Sequence, residues 1–237
     1  MASTITLQNT VNWALPFTRY APITIGTANE PTITNANLVM QTILGPPFIW
    51  RWNRTSTSTV TVSGTQDYVV ALPNFGFFEK ATVTDGNGYV TELEWKELLS
   101  GDNTASLARP TFVSTQLDDG AGNITFRLMP IPDGVYTLSI IYQKQAPIFS
   151  SLSTTWTPIP DYLSYVYSRG FLALSLEATD DPRFQVEHTR FIASLLSCAE
   201  GLSESQKNIF LGNALNTDAQ MMASQIRTQQ GGQARGS

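Results

Sequence analysis

Read by the spacing of its apolar positions, the chain changes texture twice. In residues 1–45, Leu7, Val11, Ala14 and Leu15 recur at helical spacing behind Ser3 or Thr4 as cap, and the pattern stops near Pro16. The segment YAPITIGTANEP, rich in Pro and Gly, reads as a loop. A second helix fits 33–44: Ile33, Ala36, Met40, Ile43 and Leu44 share a face, Thr32 stands as N-cap and Gly45 as stop.

From 48 to 146 the period becomes two. STSTVTVSG, QDYVVALP, FFEKATVTD and GYVTELEW alternate like strands, and TDGNG at 84–88 is a tight hairpin turn. Three further strands are expected around 111–117, 123–129 and 135–144, joined at DDGAGN and IPDGV. Six or seven short strands with tight connections imply an antiparallel sandwich or a barrel-like sheet.

Helical spacing returns after 157. Ile159, Leu163, Val166, Gly170 and Leu174 share one face, with a second flank of Tyr162, Phe171 and Ala178. The next helix opens with Asp181 as cap and Pro182 at its first position, and carries Phe184, Phe191, Ile192, Leu195 and Ala199. A capping box, Ser203 with Gln206, starts a last one. Residues 213–237, dominated by Gln, Ala and Gly, have little core potential and read as a tail.

The expected fold class is therefore α+β: a helical bundle of N- and C-terminal helices carrying an inserted antiparallel β module, sandwich or barrel-like. The expected boundaries are 1–45, 46–150, 151–212 and the tail 213–237. At the first junction, ILGPPFIWRWNRTSTST, the chain is extended after Pro46-Pro47. Strand alternation then puts Phe48, Trp50 and Trp52 on one side, as a core or interface cluster, and Ile49, Arg51 and Asn53 on the other.

Charge narrows the function. Charged residues are 14% of the 237, against a usual share of about 25%, and the net charge is −5. An acidic chain does not grip phosphate backbones, which argues against base stacking on the tryptophans. One cysteine, Cys198, forbids an intrachain disulfide. The first residues lack the basic and apolar blocks of a signal peptide, and no apolar run approaches the ~18 residues of a membrane span.

Candidate chemistry is sparse. The lone histidine, His188, lies inside a helix, and Cys198 late in the same helix reads as a small buried hydrophobe. Neither G-x-S-x-G nor a phosphate-binding glycine motif occurs. Asp118, Asp119 and Asn123 supply oxygen ligands near glycines but lack calcium-loop spacing. Glu79, Glu92, Glu94, Asp118 and Asp119 are expected mostly on solvent faces of strands, so carboxylate pairs there specify no glycosidase. No catalytic, cofactor or metal residue is assigned, and no enzyme activity is expected.

The order of parts resembles a known family. TITNANLVMQTILGPPFIWRWNR, QDYVVALPNFGFFEKATVTD, RLMPIPDGVYTLSIIYQKQAP, WTPIPDYLSYVYSRGFLALSLEATDDPRFQ and AEGLSESQKNIFLGN follow one another. This layout is similar to that of the head-to-tail connector, or neck adaptor, proteins of tailed phages, over roughly residues 1–212. The β module, about 100 residues long, is larger than in the simplest adaptors. The resemblance implies a virion protein of the neck, made in the host cytoplasm. It implies a homo-oligomeric ring, twelve-fold, bound to the portal protein above and to a tail or nozzle protein below. DNA passes through during ejection without specific binding, and no membrane is involved. A closed ring needs one heterologous interface repeated by rotation, and an acidic lumen repels DNA. Ile209, Phe210, Leu211, Met221, Met222, Ile226 and Arg227 are the expected partner-binding residues of a portal-docking extension. The alternatives are a tail terminator or tube protein and, from another class, a carbohydrate-binding or glycan-hydrolysing β protein.

Overall fold

The computed structural model describes residues 3–18, 29–97 and 106–212. The chain forms two compact units. One holds residues 1–43 and 147–237; the other, Leu44–Ala146, lies between them in sequence.

The discontinuous unit is helical. Its elements are α1 (Leu7–Ala14), α2 (Thr32–Leu44, whose last residue belongs to the other unit), α3 (Ser164–Glu177) and α4 (Phe184–Cys198). A further helical stretch covers 204–212. Helix α1 begins later than Ser3 or Thr4 would place it. Thr6 is the cap, and its hydroxyl and N–H exchange bonds with Asn9 in a capping box. The helix passes into a 3₁₀ turn at Leu15–Phe17, where Pro16 interrupts the bonding pattern.

Helix α4 also starts late, at Phe184, because the Asp181 carboxylate bonds the Arg183 N–H and guanidinium in a turn of its own. Helix α3 departs from the expected stripe. Val166, Tyr167, Gly170, Phe171, Leu172 and Leu176 are all buried, so it is enclosed nearly all round, while Tyr162 of the expected flank is 67% exposed.

The first residues of the chain meet the segment that follows the β module in this unit. The Leu7 and Gln8 N–H groups donate to the carbonyls of Thr154 and Leu152, and the Trp156 N–H donates to Ile5. Trp156 is fully buried. Its indole Nε1 donates to Thr10 Oγ1 at 2.8 Å, its ring stacks on Tyr167 at 4.4 Å, and Phe149 meets it edge-on at 4.8 Å. Such aromatic contacts add to the burial of a large apolar area, and the polar tip is satisfied.

The continuous unit is a β module. Its strands are β1 (Arg54–Val60), β2 (Asp67–Ala71), β3 (Phe75–Thr84), β4 (Val90–Trp95), β5 (Leu107–Ala108), β6 (Phe112–Asp118), β7 (Asn123–Met129), β8 (Ile131–Pro132) and β9 (Thr137–Lys144). Seven of them form a nearly closed, barrel-like sheet in the order β1-β9-β3-β4-β6-β7-β2, and β5 pairs with β8. The pairing is antiparallel except β4 with β6 and β5 with β8. Period-two alternation points Tyr68, Val70, Val83, Phe126, Ile140 and Tyr142 inward to one core. The 84–88 turn forms as its sequence predicts: Gly88 takes φ +81°, and Asp85 Oδ1 accepts from the Asn87 and Tyr89 N–H groups.

The long strands β3 and β9 change register twice, near Phe75 and Phe78. Gly76 sits at the first irregularity. A Cβ there would lie 2.8 Å from the Gln145 nitrogen and 2.9 Å from the Gln143 oxygen, both backbone atoms that cannot swing away. Gly76→Ala is therefore expected to lower stability by about 1–3 kcal/mol in chemical denaturation. Gly86→Ala, where a Cβ meets nothing within 4 Å, should stay within about 0.5 kcal/mol. Trp156→Phe leaves the Thr10 hydroxyl without its donor and should cost about 1–3 kcal/mol by the same measurement.

Candidate partner-binding surfaces

The junction aromatics stack, but not by strand alternation. Residues 48–50 are irregular and 51–53 form a turn, the strand beginning only at Arg54. Phe48 and Trp50 are buried, and Trp52 is half-buried. Their rings stack in series, Phe48 to Trp50 at 6.3 Å and Trp50 to Trp52 at 5.2 Å. Asn53, expected to face outward, is fully buried. Its side-chain nitrogen donates to the Lys144 carbonyl at 2.8 Å, and the Lys144 N–H returns a bond to the Asn53 carbonyl. The turn rotates Asn53 inward, where its amide replaces ladder partners that an irregular segment lacks. Gln143, also fully buried, accepts from the Trp50 N–H and donates to Glu79.

Of the five β-module carboxylates expected mostly on solvent faces, Glu79 is the one turned inward. Its side chain is only 8% exposed and accepts from both Nε and Nη2 of Arg54. The register changes in β3 turn this carboxylate toward β1 and β9, so the strand's simple alternation does not apply. Glu92, Glu94, Asp118 and Asp119 are outward or half-exposed. Asp119 is held by its own turn, accepting from the N–H groups of Ala121 and Asn123 and from the Asn123 amide. These bonds, led by the Asn123 side chain, keep its carboxyl below the usual range. Among the described residues, no group of three or more His, Cys, Asp or Glu is placed to hold a metal ion. His188 packs against Phe184 at 5.4 Å on α4. The Cys198 sulfur lies 2.7 Å from the Tyr165 hydroxyl, a contact that raises the Tyr165 pKa.

Of the expected partner-binding residues, Ile209 and Phe210 are 60% and 39% exposed on the 204–212 helix, and Leu211 is half-buried. The Ser203–Gln206 capping box that starts this helix is present. Met221, Met222, Ile226 and Arg227 lie outside the described residues. A groove of about 560 Å³ between α1 and α3, which the sequence did not announce, is lined by neutral side chains that include Thr4, Asn9, Trp13 and Tyr165. Trp13 and Phe17, 5.3 Å apart, present an exposed aromatic pair on the α1 side. Helical spacing alone could have flagged Trp13, which falls opposite the Leu7–Val11–Ala14 stripe.

The edge of this groove is fixed by Asp161. Its carboxylate accepts from the Ser3 and Thr4 hydroxyls, both at 2.7 Å, and from the Thr4 N–H. Ser3 first, then Thr4, hold its pKa below the ordinary 3.8. Burial pushes the neighbouring Tyr167 hydroxyl up to about 12.

The model of the SU10 adaptor protein family matches residues 33–232, most of the chain, and the chain belongs to that family. Membership makes it a phage adaptor, a structural component of the virion. No curated protein matches it. No helix among the described residues is long and apolar enough to cross a membrane.

The Asp161 latch should respond to pH. A carboxylate with a depressed folded-state pKa stabilises fully above its unfolded value, here 3.8, and that contribution is lost as pH falls through the lower folded value. Protection of the Thr4 amide against hydrogen exchange is expected at pH 7 and should fade below pH 3.8. Asp161→Ala, which removes both acceptor oxygens, should lose it already at pH 7, and unchanged protection in that variant would show the latch to be idle.

Proposed function

We propose that the protein is the ring-forming head-to-tail adaptor of a tailed phage, joining the portal to the tail and lining the channel through which DNA leaves the capsid. The observation that carries this reading is the adaptor-family match over 33–232, which takes in the β module and most of the C-terminal tail. In this reading the subunit is non-enzymatic and sits in the neck of the virion. Its N- and C-terminal helices complete one bundle, and the β module is an insertion within it. The charge balance is compatible: 14 Lys and Arg against 19 Asp and Glu leave a surface that slides past DNA without gripping it. So is the low total charge, since a ring subunit covers much of its surface with neighbours.

The tail is the portal-docking element of this proposal. The described chain ends in exposed Ile209 and Phe210, and Met221, Met222 and Ile226 follow in sequence. Spaced apolar anchors on a polar segment can order on a partner, the entropy cost being offset by the area wrapped.

The test is electron microscopy of the purified chain with and without its portal. Rings stacked on the portal are expected, and deletion of 213–237 should abolish the stacking while the subunit still melts cooperatively. Normal docking of the truncated chain would remove the tail from the proposal. Rings seated on a tail tube instead would assign the protein to a terminator or tube role, and glycan turnover would assign it to another class.

A further inference from the structure

The tip of the β3–β4 hairpin holds the chain's one Asn-Gly pair, Asn87-Gly88. An asparagine followed by glycine is the pair most open to spontaneous deamidation, because the following nitrogen carries no Cβ-bearing residue to hinder its approach to the side-chain carbonyl. Both residues are exposed, and a Cβ added at Gly88 would meet nothing within 4 Å. Water therefore has access to the reacting atoms.

The turn, however, holds the nucleophile. The Gly88 N–H donates to the Asp85 carbonyl at 3.0 Å, and the Asp85 N–H donates to the Tyr89 carbonyl at 3.1 Å. Asp85 Oδ1 accepts from the N–H groups of Asn87 and Tyr89, both at 2.9 Å. The same carboxylate is tied to a segment outside the hairpin. Arg109, just after β5, donates from one Nη to Asp85 Oδ2 at 3.1 Å and from the other to the Tyr89 carbonyl at 2.7 Å. Its guanidinium lies over the Tyr89 ring at 4.7 Å. A charged fork on two acceptors of one turn resists opening more than a single neutral hydrogen bond does.

We propose that Asn87 is a deamidation site that the Asp85–Arg109 clamp keeps closed in the native fold. In the reaction the Gly88 nitrogen gives its proton to hydroxide and attacks Asn87 Cγ. The new C–N bond closes an imide ring, the Cγ–Nδ2 bond breaks, and the amide nitrogen leaves as ammonia after taking a proton from water. Water then opens the imide at either carbonyl and leaves aspartate or isoaspartate. Nothing is oxidised or reduced. The attack needs the Gly88 N–H released from Asp85 and turned toward the side chain, so it waits for the turn to open. Either product places a second carboxylate beside that of Asp85. Isoaspartate also lengthens the backbone by one carbon, which moves Gly88 off its bond to the Asp85 carbonyl. Each opening that leads to reaction is thus recorded permanently in the covalent chain. The inference does not depend on the proposed neck function.

Peptide mapping by mass spectrometry tests it on the full-length chain at mildly alkaline pH. Conversion at Asn87 is expected to run about tenfold faster or more in the urea-unfolded chain than in the native protein, since the native rate is scaled by the open fraction of the turn. In the native state Arg109→Ala should convert about three- to tenfold faster than wild type, its melting transition showing that the fold persists. Equal rates in native and unfolded wild type would overturn the clamp. No conversion at Asn87 in urea would overturn the site. A folded Arg109→Ala with the wild-type rate would remove Arg109 as the guard and overturn the proposal as stated. Should Arg109→Ala lose its melting transition, Arg109→Lys decides in its place: it keeps the charge without the fork, and it must also convert faster than wild type.

Discussion

The helical unit depends on closing the first residues of the chain on the segment that follows the β module. Residues 3–10 and 152–167 are far apart in sequence, and ordering them together is entropically unfavourable. What offsets that cost is one buried indole. Trp156 gives its N–H to Thr10, its face to Tyr167 and its edge to Phe149, while its backbone bonds Ile5. The Asp161 carboxylate extends the same closure to Ser3 and Thr4. With these two segments joined, residues 44–146 are topologically an excursion from a unit that starts and finishes without them.

Within that excursion, close backbone approach sets the shape. The sheet curls because β3 and β9 are long and lose register where Gly76 lets Gln143 and Gln145 come near. The same irregularities bring Glu79 under Arg54 and Gln143. An ion pair with one partner so enclosed fixes geometry more than it stabilises, since desolvation offsets much of the attraction.

The periods were plain in the sequence. Leu7, Val11 and Ala14 gave α1 its buried stripe, the β-branched runs gave β6, β7 and β9 nearly to the residue, and Asp85-Gly88 gave a turn. What the sequence hid depended on contacts at long range. Asn53 looked outward because alternation assumes a strand, and the turn at 51–53 breaks it. Glu79 could not be told from the other strand carboxylates, because the register changes that turn it inward are a property of two paired strands. Trp156 lay in a segment without period, so its role as the centre of a core could not be read from spacing. The parallel pairing of β4 with β6 was invisible for the same reason. Of the candidate surfaces, Ile209 and Phe210 were legible as apolar residues late in a polar helix, whereas the groove beside Trp13 needs α1 and α3 together.

The chain passes between its units twice, after Ile43 and after Ala146, and the outgoing and returning segments are cross-tied on both sides. In the helical unit the Asn37 amide accepts from the Phe149 N–H at 2.7 Å. In the β module Asn53 bonds Lys144, and Gln143 accepts from Trp50. In mechanical terms these amides work as rivets. A pull on the β module is carried by two covalent strands loaded side by side, and each is stitched to the other before it reaches the fold it belongs to. The β module cannot be drawn out by a single thread, because both of its connections are loaded at once.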